Sequence, residues 1–208
     1  MAKDPDDILS RVSHLEQGDS SRDIYNDWSE TYDAHLLEEF GYISPAIAAR
    51  ELAQGGVDRD AELVDYGCGT GLVGEALSSQ GFTCIDGFDI SEGMLDQARA
   101  KGVYRNLARA DLTTTLDIES ERYDAGCCIG SMGAGHVGAG HVPELLRPLR
   151  PGGMFVIILN GMYYETGGFE AAFQQLERQG FWQIAKLEEF NYMTELVRPG
   201  WLLVATKQ

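Results

Sequence analysis

Residues 63–74, Leu63-Val64-Asp65-Tyr66-Gly67-Cys68-Gly69-Thr70-Gly71-Leu72-Val73-Gly74, constrain this chain more than any other stretch. A short apolar run enters a glycine-dense turn. The pattern then becomes helical through Val73-Gly74-Glu75-Ala76-Leu77, so the spacing predicts strand, tight loop and helix. Glycine at alternate positions allows positive φ and lets backbone lie flat against a ligand. The free N–H groups at the start of the following helix give the loop a positive end. Such a turn holds a nucleotide-like molecule.

Two spellings overlap in it. Gly69-Thr70-Gly71-Leu72-Val73-Gly74 is the dinucleotide pattern G-x-G-x-x-G, with Asp89 about twenty residues on as a ribose-binding acid. Read from Asp65, the same stretch is acid-x-Gly-x-Gly-x-Gly. A carboxylate at the end of that strand repels a pyrophosphate and favours a phosphate-free ligand that carries an ammonium. The second spelling therefore predicts that Asp65 faces the ligand.

The remaining elements follow from periodicity. Residues up to about 20 carry Ile8, Leu9, Val12 and Leu15 at helical spacing. Residues 21–37 read as a helix with Tyr25, Trp28 and Tyr32 on one face, either packing on the body of the domain or closing as an aromatic lid over a cation. A helix over 45–54 is stopped by Gly55-Gly56, and another spans 72–79. The second strand lies within 82–89 and ends at Asp89, a residue able to accept both ribose hydroxyls; Ser91 serves as the cap of the next helix, which ends near Lys101. Ile90 and Met94 flank the adenine. A short strand near 104–109 leads to Asp111-Leu112, and an apolar strand near 121–130 follows.

Gly133-Ala134-Gly135-His136-Val137 is then repeated at once as Gly138-Ala139-Gly140-His141-Val142. A small-residue loop at the carboxyl end of a central strand lies where chemistry would occur, so His136 and His141 are candidate general bases, His136 ahead because it is nearer the strand. Their offset does not make a metal pair, and no metal is expected. Pro143 opens a short helix, and Pro151-Gly152-Gly153 introduces a strand over 154–159. Residues 160–168, with Tyr163 and Tyr164, read as a polar and aromatic loop bordering the acceptor. A helix over 169–179 precedes strands over 181–193 and 201–206, joined at Arg198-Pro199-Gly200.

Composition bounds the partners. At 208 residues the chain is one domain, with no apolar stretch of spanning length and a polar N-terminus unlike a signal peptide. Cys68, Cys84, Cys127 and Cys128 have no C-x-x-C spacing and read as reduced thiols of a cytoplasmic protein. A formal net charge of -17 predicts repulsion of nucleic acid and anionic lipid. The expectation is a small-molecule acceptor, no nucleic acid, no membrane, and a monomer or homodimer.

Three phrases resemble those of the class I S-adenosylmethionine-dependent methyltransferases: the acidic glycine loop from Asp65, Asp89-Ile90-Ser91-Glu92-Gly93-Met94-Leu95, and Leu149-Arg150-Pro151-Gly152-Gly153 ahead of an apolar strand. Tyr25 to Asp33 is similar to the aromatic entry segment of many members that act on small molecules. The likeness runs from about Tyr25 onward. It implies a three-layer, Rossmann-like α/β fold: a seven-stranded, mostly parallel sheet with an antiparallel last strand. It further implies one methyltransferase domain over 1–208, with 1–55 as a helical lid and 56–208 as the cofactor-binding core. The implied reaction moves a methyl group from S-adenosylmethionine to oxygen, nitrogen or sulfur of a small acceptor, leaving S-adenosylhomocysteine. Implied cofactor contacts are Tyr25, Trp28 and Tyr32 in the lid, then Asp65, Gly67, Cys68, Gly69, Gly71 and Leu72 in the loop. Asp89, Ile90 and Met94, Asp111 and Leu112 at the adenine, and Ile129 and Gly130 complete the set. The duplicated loop departs from the family pattern. A cofactor-binding protein without turnover and a nicotinamide-dependent oxidoreductase stay open as alternatives.

Overall fold

The computed structural model describes residues 25, 28, 29, 31–133 and 136–208. Its seven strands are β1 (Glu62–Tyr66), β2 (Cys84–Asp89), β3 (Asn106–Arg109), β4 (Tyr123–Ile129), β5 (Leu149–Asn160), β6 (Trp182–Asn191) and β7 (Pro199–Lys207). They form one sheet in the order β3-β2-β1-β4-β5-β7-β6, with β7 antiparallel to both its neighbours and all other pairings parallel. The sheet is the one implied by the resemblance. It breaks direction only at β7.

Strand period two sends Leu63 and Val64 to opposite faces, and each face has its own core. On one side Leu63, Ile85, Ala125, Val156 and Val204 pack with Leu52 of α2 (Ser44–Gln54) and Leu77 of α3 (Leu72–Ser79). On the other, Val64, Cys128, Phe155, Ile157 and Leu203 pack with Leu145 of α5 (Val142–Leu146) and Phe173 of α7 (Phe169–Arg178). The helix α4 (Glu92–Lys101) lies against β2 and β3. Central strands buried on both faces read as continuous apolar runs, which is why β4 is legible in sequence.

Several expectations are corrected. Residues 160–168 hold the short helix α6 (Gly161–Thr166) rather than a loop; Asn160 Oδ1 caps it by accepting from the Met162 N–H at 2.9 Å. Six residues are too few to show helical periodicity. β7 starts at Pro199, opposite Asn191, so the reversal precedes Arg198-Pro199-Gly200; a first-strand position suits proline. β3 starts at Asn106, because Tyr104 leaves the strand line for a place described below.

The described part of the aromatic segment contains α1 (Tyr32–Ala34), continued by a π-helical turn over His35–Glu39. The Trp28 Nε1–H donates to His35 Nδ1 at 2.8 Å, across that turn. The rest of 21–31, apart from Tyr25, Trp28, Ser29 and Thr31, lies outside the described residues, as does the first helix with Ile8, Leu9, Val12 and Leu15. Among the described residues, no helix is long and apolar enough to cross a membrane.

Candidate active site

The loop after β1 turns through three left-handed glycines, Gly67, Gly69 and Gly71, with φ of 69°, 54° and 93°. The N–H groups of Gly67 and Cys68 donate to the Phe88 carbonyl at 2.7 and 3.0 Å, stitching the loop to the end of β2. There Asp89 Oδ2 accepts from the Gly69 N–H at 2.8 Å, and Oδ1 from the Ser91 N–H at 2.9 Å. Ser91 caps α4 by accepting from the Met94 N–H, so Asp89 is spared that task. Each carboxylate oxygen has two acceptor positions. The Gly69 and Ser91 N–H groups take one on each oxygen, the Ile90 N–H also bonds the carboxylate, and the rest is left for a ligand. Burial pushes this carboxyl up, while the N–H groups of Ser91, Gly69 and Ile90, then His136, oppose the shift.

Asp65 is placed differently from expectation. Its carboxyl is wholly buried beneath the loop and does not line the cavity. Oδ2 accepts from the Tyr104 hydroxyl at 2.7 Å and Oδ1 from Cys127 Sγ at 3.6 Å. Burial pushes its pKa up to about 7, against these hydrogen bonds. The Tyr104 oxygen in turn accepts from the Gly74 N–H at 3.1 Å. A Cβ on Gly74 would stand 2.3 Å from Tyr104 Cζ. The last glycine of the dinucleotide-like spelling is therefore required by close packing against a tyrosine ring.

Above the loop, at the carboxyl ends of β1, β2 and β4, lies a cavity of about 230 Å³. It gathers Tyr25, Tyr32, Gly67, Cys68, Gly69, Leu72, Asp89, Ile90, Met94, Asp111, Leu112, Ile129, Gly130 and His136 from the residues expected at the site. Asp111 sits at the rim, with Oδ1 accepting from both the N–H and the hydroxyl of Thr113. Tyr42, Pro45, Thr70, Val73, Thr113, Ser131 and Val137 join the lining without having been anticipated. Their only shared property is tertiary proximity, although Thr70 was already within the loop motif. Gly71 does not line the cavity: it makes the turn into α3.

The aromatic residues converge on this space. Trp28 and Tyr32 meet edge to face at 4.6 Å, and Tyr25 lies 6.3 Å from each. Burial pushes the phenols of Tyr25, Tyr32 and Tyr42 above the ordinary tyrosine value, so all three stay neutral. Asp33 ties this segment to the loop: Oδ1 accepts from the Thr70 hydroxyl at 2.5 Å and Oδ2 pairs with Lys101 Nζ at 2.7 Å.

The two histidines part company. His136 Nε2 is 2.9 Å from the Tyr25 hydroxyl and lines the cavity. His141 lies in a 3-10 turn over Ala139–His141, with Nδ1 3.3 Å from the Gly138 carbonyl, and lines neither this cavity nor its neighbour.

A second cavity of about 120 Å³ adjoins the first and shares Tyr25, Tyr32, Tyr42, Gly130 and His136 with it. Trp28 lines this second space rather than the first. Among the described residues no lysine or arginine lines either cavity. The first cavity offers acidic acceptors rather than cations. It suits an adenosine compound bearing positive charge, with Asp89 and Asp111 as acceptors, flat apolar walls from Ile90, Met94 and Leu112, and aromatic faces opposite.

Comparison with known proteins agrees with this geometry. Residues 63–153 match a family model described as a methyltransferase domain. Human methyltransferase-like protein 27 is 33% identical over 168 residues, covering 77% of this chain and 67% of that protein. A chain from the complex between the Haloferax volcanii Trm112 methyltransferase activator and a putative methyltransferase superposes with a TM-score of 0.69 at 18% identity, over 90% of this chain and 97% of that one. Bovine 18S rRNA (guanine-N(7))-methyltransferase is 34% identical over 68 residues, 33% of this chain and 24% of that protein. The last two overturn the expectation of a small-molecule acceptor with no nucleic acid or further partner, since one similar protein acts on RNA and another is held by an activator protein. Net charge is a sum over the whole surface and does not describe the one face a partner meets. Sheet order, glycine loop, paired cavities and the 33% identical relative lead to one assignment: the chain belongs to the class I S-adenosylmethionine-dependent methyltransferases.

Proposed function

We propose that this chain moves the methyl group of S-adenosylmethionine from the first cavity onto an oxygen, nitrogen or sulfur atom of an acceptor group in the second. The observation that carries the proposal is the shared wall of the two cavities, formed by Tyr25, Tyr32, Tyr42, Gly130 and His136. The bound cofactor supplies an electrophilic methyl carbon on a sulfonium.

The chain's own residues position and enclose. Asp89 offers its remaining acceptor capacity to the ribose hydroxyls, Asp111 accepts from the adenine amino group, and Ile90, Met94 and Leu112 flank the ring. Gly67, Cys68, Gly69 and Leu72, with Ile129 and Gly130, form the floor. Tyr25 and Tyr32 face the cation and keep water away. Of the expected lid over 1–55, the described aromatic part up to Phe40 covers the site, latched through Asp33, Thr70 and Lys101, while α2 packs with the core of 56–208. His136, held by the Tyr25 hydroxyl, takes the proton of an O–H or N–H nucleophile. Alignment of nucleophile and methyl carbon supplies most of the acceleration. The aromatic entry segment, the Cys68–Val73 run, Gly93-Met94-Leu95 and the Val142-to-Gly153 run also resemble the methyltransferase-like protein of the Williams-Beuren syndrome chromosomal region, which supports the same donor.

Calorimetric titration with S-adenosylhomocysteine and with NADH, followed by a methyl-donor turnover assay over an acceptor panel that includes RNA, tests the reading. Tight binding of the homocysteine compound alone, with turnover, is expected. Binding of NADH alone overturns it, and binding without turnover reduces the protein to a cofactor carrier.

A further inference from the structure

We infer that the second cavity admits a single uncharged ring and reads a hydrogen-bonding group on it through the Ser44 hydroxyl. The inference rests on the methyl-transfer reading and names the chemistry of the acceptor group. A volume of about 120 Å³ is close to that of the roughly 150 Å³ apolar cavity known to take benzene. Trp28, Leu36, Met132, Ile158, Leu159 and Met193 supply apolar wall. Among the described lining residues there is no carboxylate, guanidinium or ammonium. Apart from the His136 imidazole on the shared wall, a charged acceptor group would lose its hydration there and gain no counter-ion from the described lining.

The polar atoms divide into used and unused. Asn160 is committed at both ends, with Oδ1 to the Met162 N–H and Nδ2 donating to the Tyr192 hydroxyl at 3.1 Å. The Tyr192 oxygen accepts that bond and keeps its own proton to give. Burial pushes the Tyr42 and Tyr192 phenols up, so they remain neutral donors. Ser44, the first residue of α2, is fully buried beside Tyr42, and its Oγ makes no hydrogen bond of ordinary geometry among the described residues. A buried hydroxyl in that state calls for a partner, and the cavity it lines is where a ligand would bring one.

Methionine methyl groups allow a test that does not depend on turnover. Met94 lines the first cavity, Met132 and Met193 line the second, and exposed Met162 lines neither. In the full chain with isotope-labelled methionine methyls, S-adenosylhomocysteine should move the Met94 resonance. Phenol and indole, added next, should move Met132 and Met193. Benzoate and benzylammonium, rings of similar size carrying charge, should leave both in place. Replacing phenol by N-acetyl-tyrosinamide tells a free ring from one carried on a chain, and either response supports the uncharged ring. Ser44→Ala should weaken phenol binding by roughly 3- to 10-fold, the worth of one hydrogen bond. Its melting temperature should hold, since the lost hydroxyl makes no hydrogen bond of ordinary geometry and meets only the Tyr42 phenol. Equal shifts from the charged rings, no shift from the neutral ones, or unchanged phenol affinity in Ser44→Ala overturns the inference. A silent Met94 instead overturns the methyl-transfer reading beneath it.

Discussion

Replacing Asp89 by alanine tests the cofactor side of the site most directly. The carboxylate offers about four acceptor positions. Two are filled by the N–H groups of Gly69 and Ser91, at 2.8 and 2.9 Å. The Ile90 N–H also bonds the carboxylate, and the remaining capacity is left for a ligand diol. A hydrogen bond to a charged acceptor contributes about 1.5–3 kcal/mol, and two on one carboxylate do not add fully. The oxygens are already partly desolvated, as the upward push on the pKa indicates. The expected loss of S-adenosylhomocysteine affinity is therefore about 1–3 kcal/mol, roughly 5- to 150-fold. Two loop N–H groups also lose their acceptor. Gly69 is half-buried and can turn to water, but the Ser91 N–H is buried and left unsatisfied, so the stability loss should be about 1–3 kcal/mol. Calorimetry on wild type and Asp89→Ala, each with S-adenosylhomocysteine and with its analogue lacking both ribose hydroxyls, separates the two effects. Wild type should prefer the parent ligand, and the variant should hardly distinguish them. An equal loss for both ligands would falsify the ribose assignment and leave Asp89 as a loop brace.

Other perturbations follow from the same geometry. Asp65 holds its proton in the fold up to about pH 7, whereas an unfolded aspartate ionises near 3.9. Its folded pKa is the higher one, so stability falls as pH rises through that window and is flat above it. Asp65→Asn should remove the slope, and urea midpoints that run parallel for variant and wild type would contradict this. Gly74→Ala drives a Cβ to 2.3 Å from Tyr104 Cζ and should cost about 1–3 kcal/mol, read as a lower melting temperature. An unchanged melt would show that Tyr104 moves aside freely. His136→Ala should lower turnover by about 100-fold or more while S-adenosylhomocysteine affinity stays near wild type, and His141→Ala should leave both alone. A reversed ranking would return the base to the second repeat. Asp33→Ala unlatches the aromatic segment from Thr70 and Lys101 and should weaken cofactor binding several-fold, about 0.5–1 kcal/mol for such half-exposed links; stopped-flow release at the wild-type rate would refute the latch.

What could be read from residue order was what depends on near neighbours. Glycines at 67, 69 and 71 take positive φ because only glycine does so at no cost, and the loop forms wherever that spacing occurs. Helix α3 keeps its expected bounds, and Ser91 caps α4 in preference to Asp89. The seven-stranded sheet follows from alternating apolar strands and helical stretches. Asp65 was harder: its type and position suggested a ligand contact, yet its strand turns it under the loop, where Tyr104 arrives from 39 residues away. Nothing near Tyr42 or Ser44 in the chain marks them as belonging to one crevice, and nothing near Tyr104 marks it for its place beneath the loop. Tyr42 reaches it through a bridge to Met193 that only the closed sheet makes.

The duplicated pentapeptide draws the line most clearly. Gly-Ala-Gly-His-Val occurs twice in succession, so local chemistry cannot tell one imidazole from the other. In the folded chain His136 meets the Tyr25 hydroxyl at 2.9 Å, and His141 turns back on its own short helical turn. The sequence by itself determined that a glycine loop, an acid at the end of the next strand and two histidines would exist. The packing of the aromatic segment against the strand ends decided which histidine faces the cavities. Proximity across a hundred residues is created by burying apolar surface, and no short-range rule encodes it.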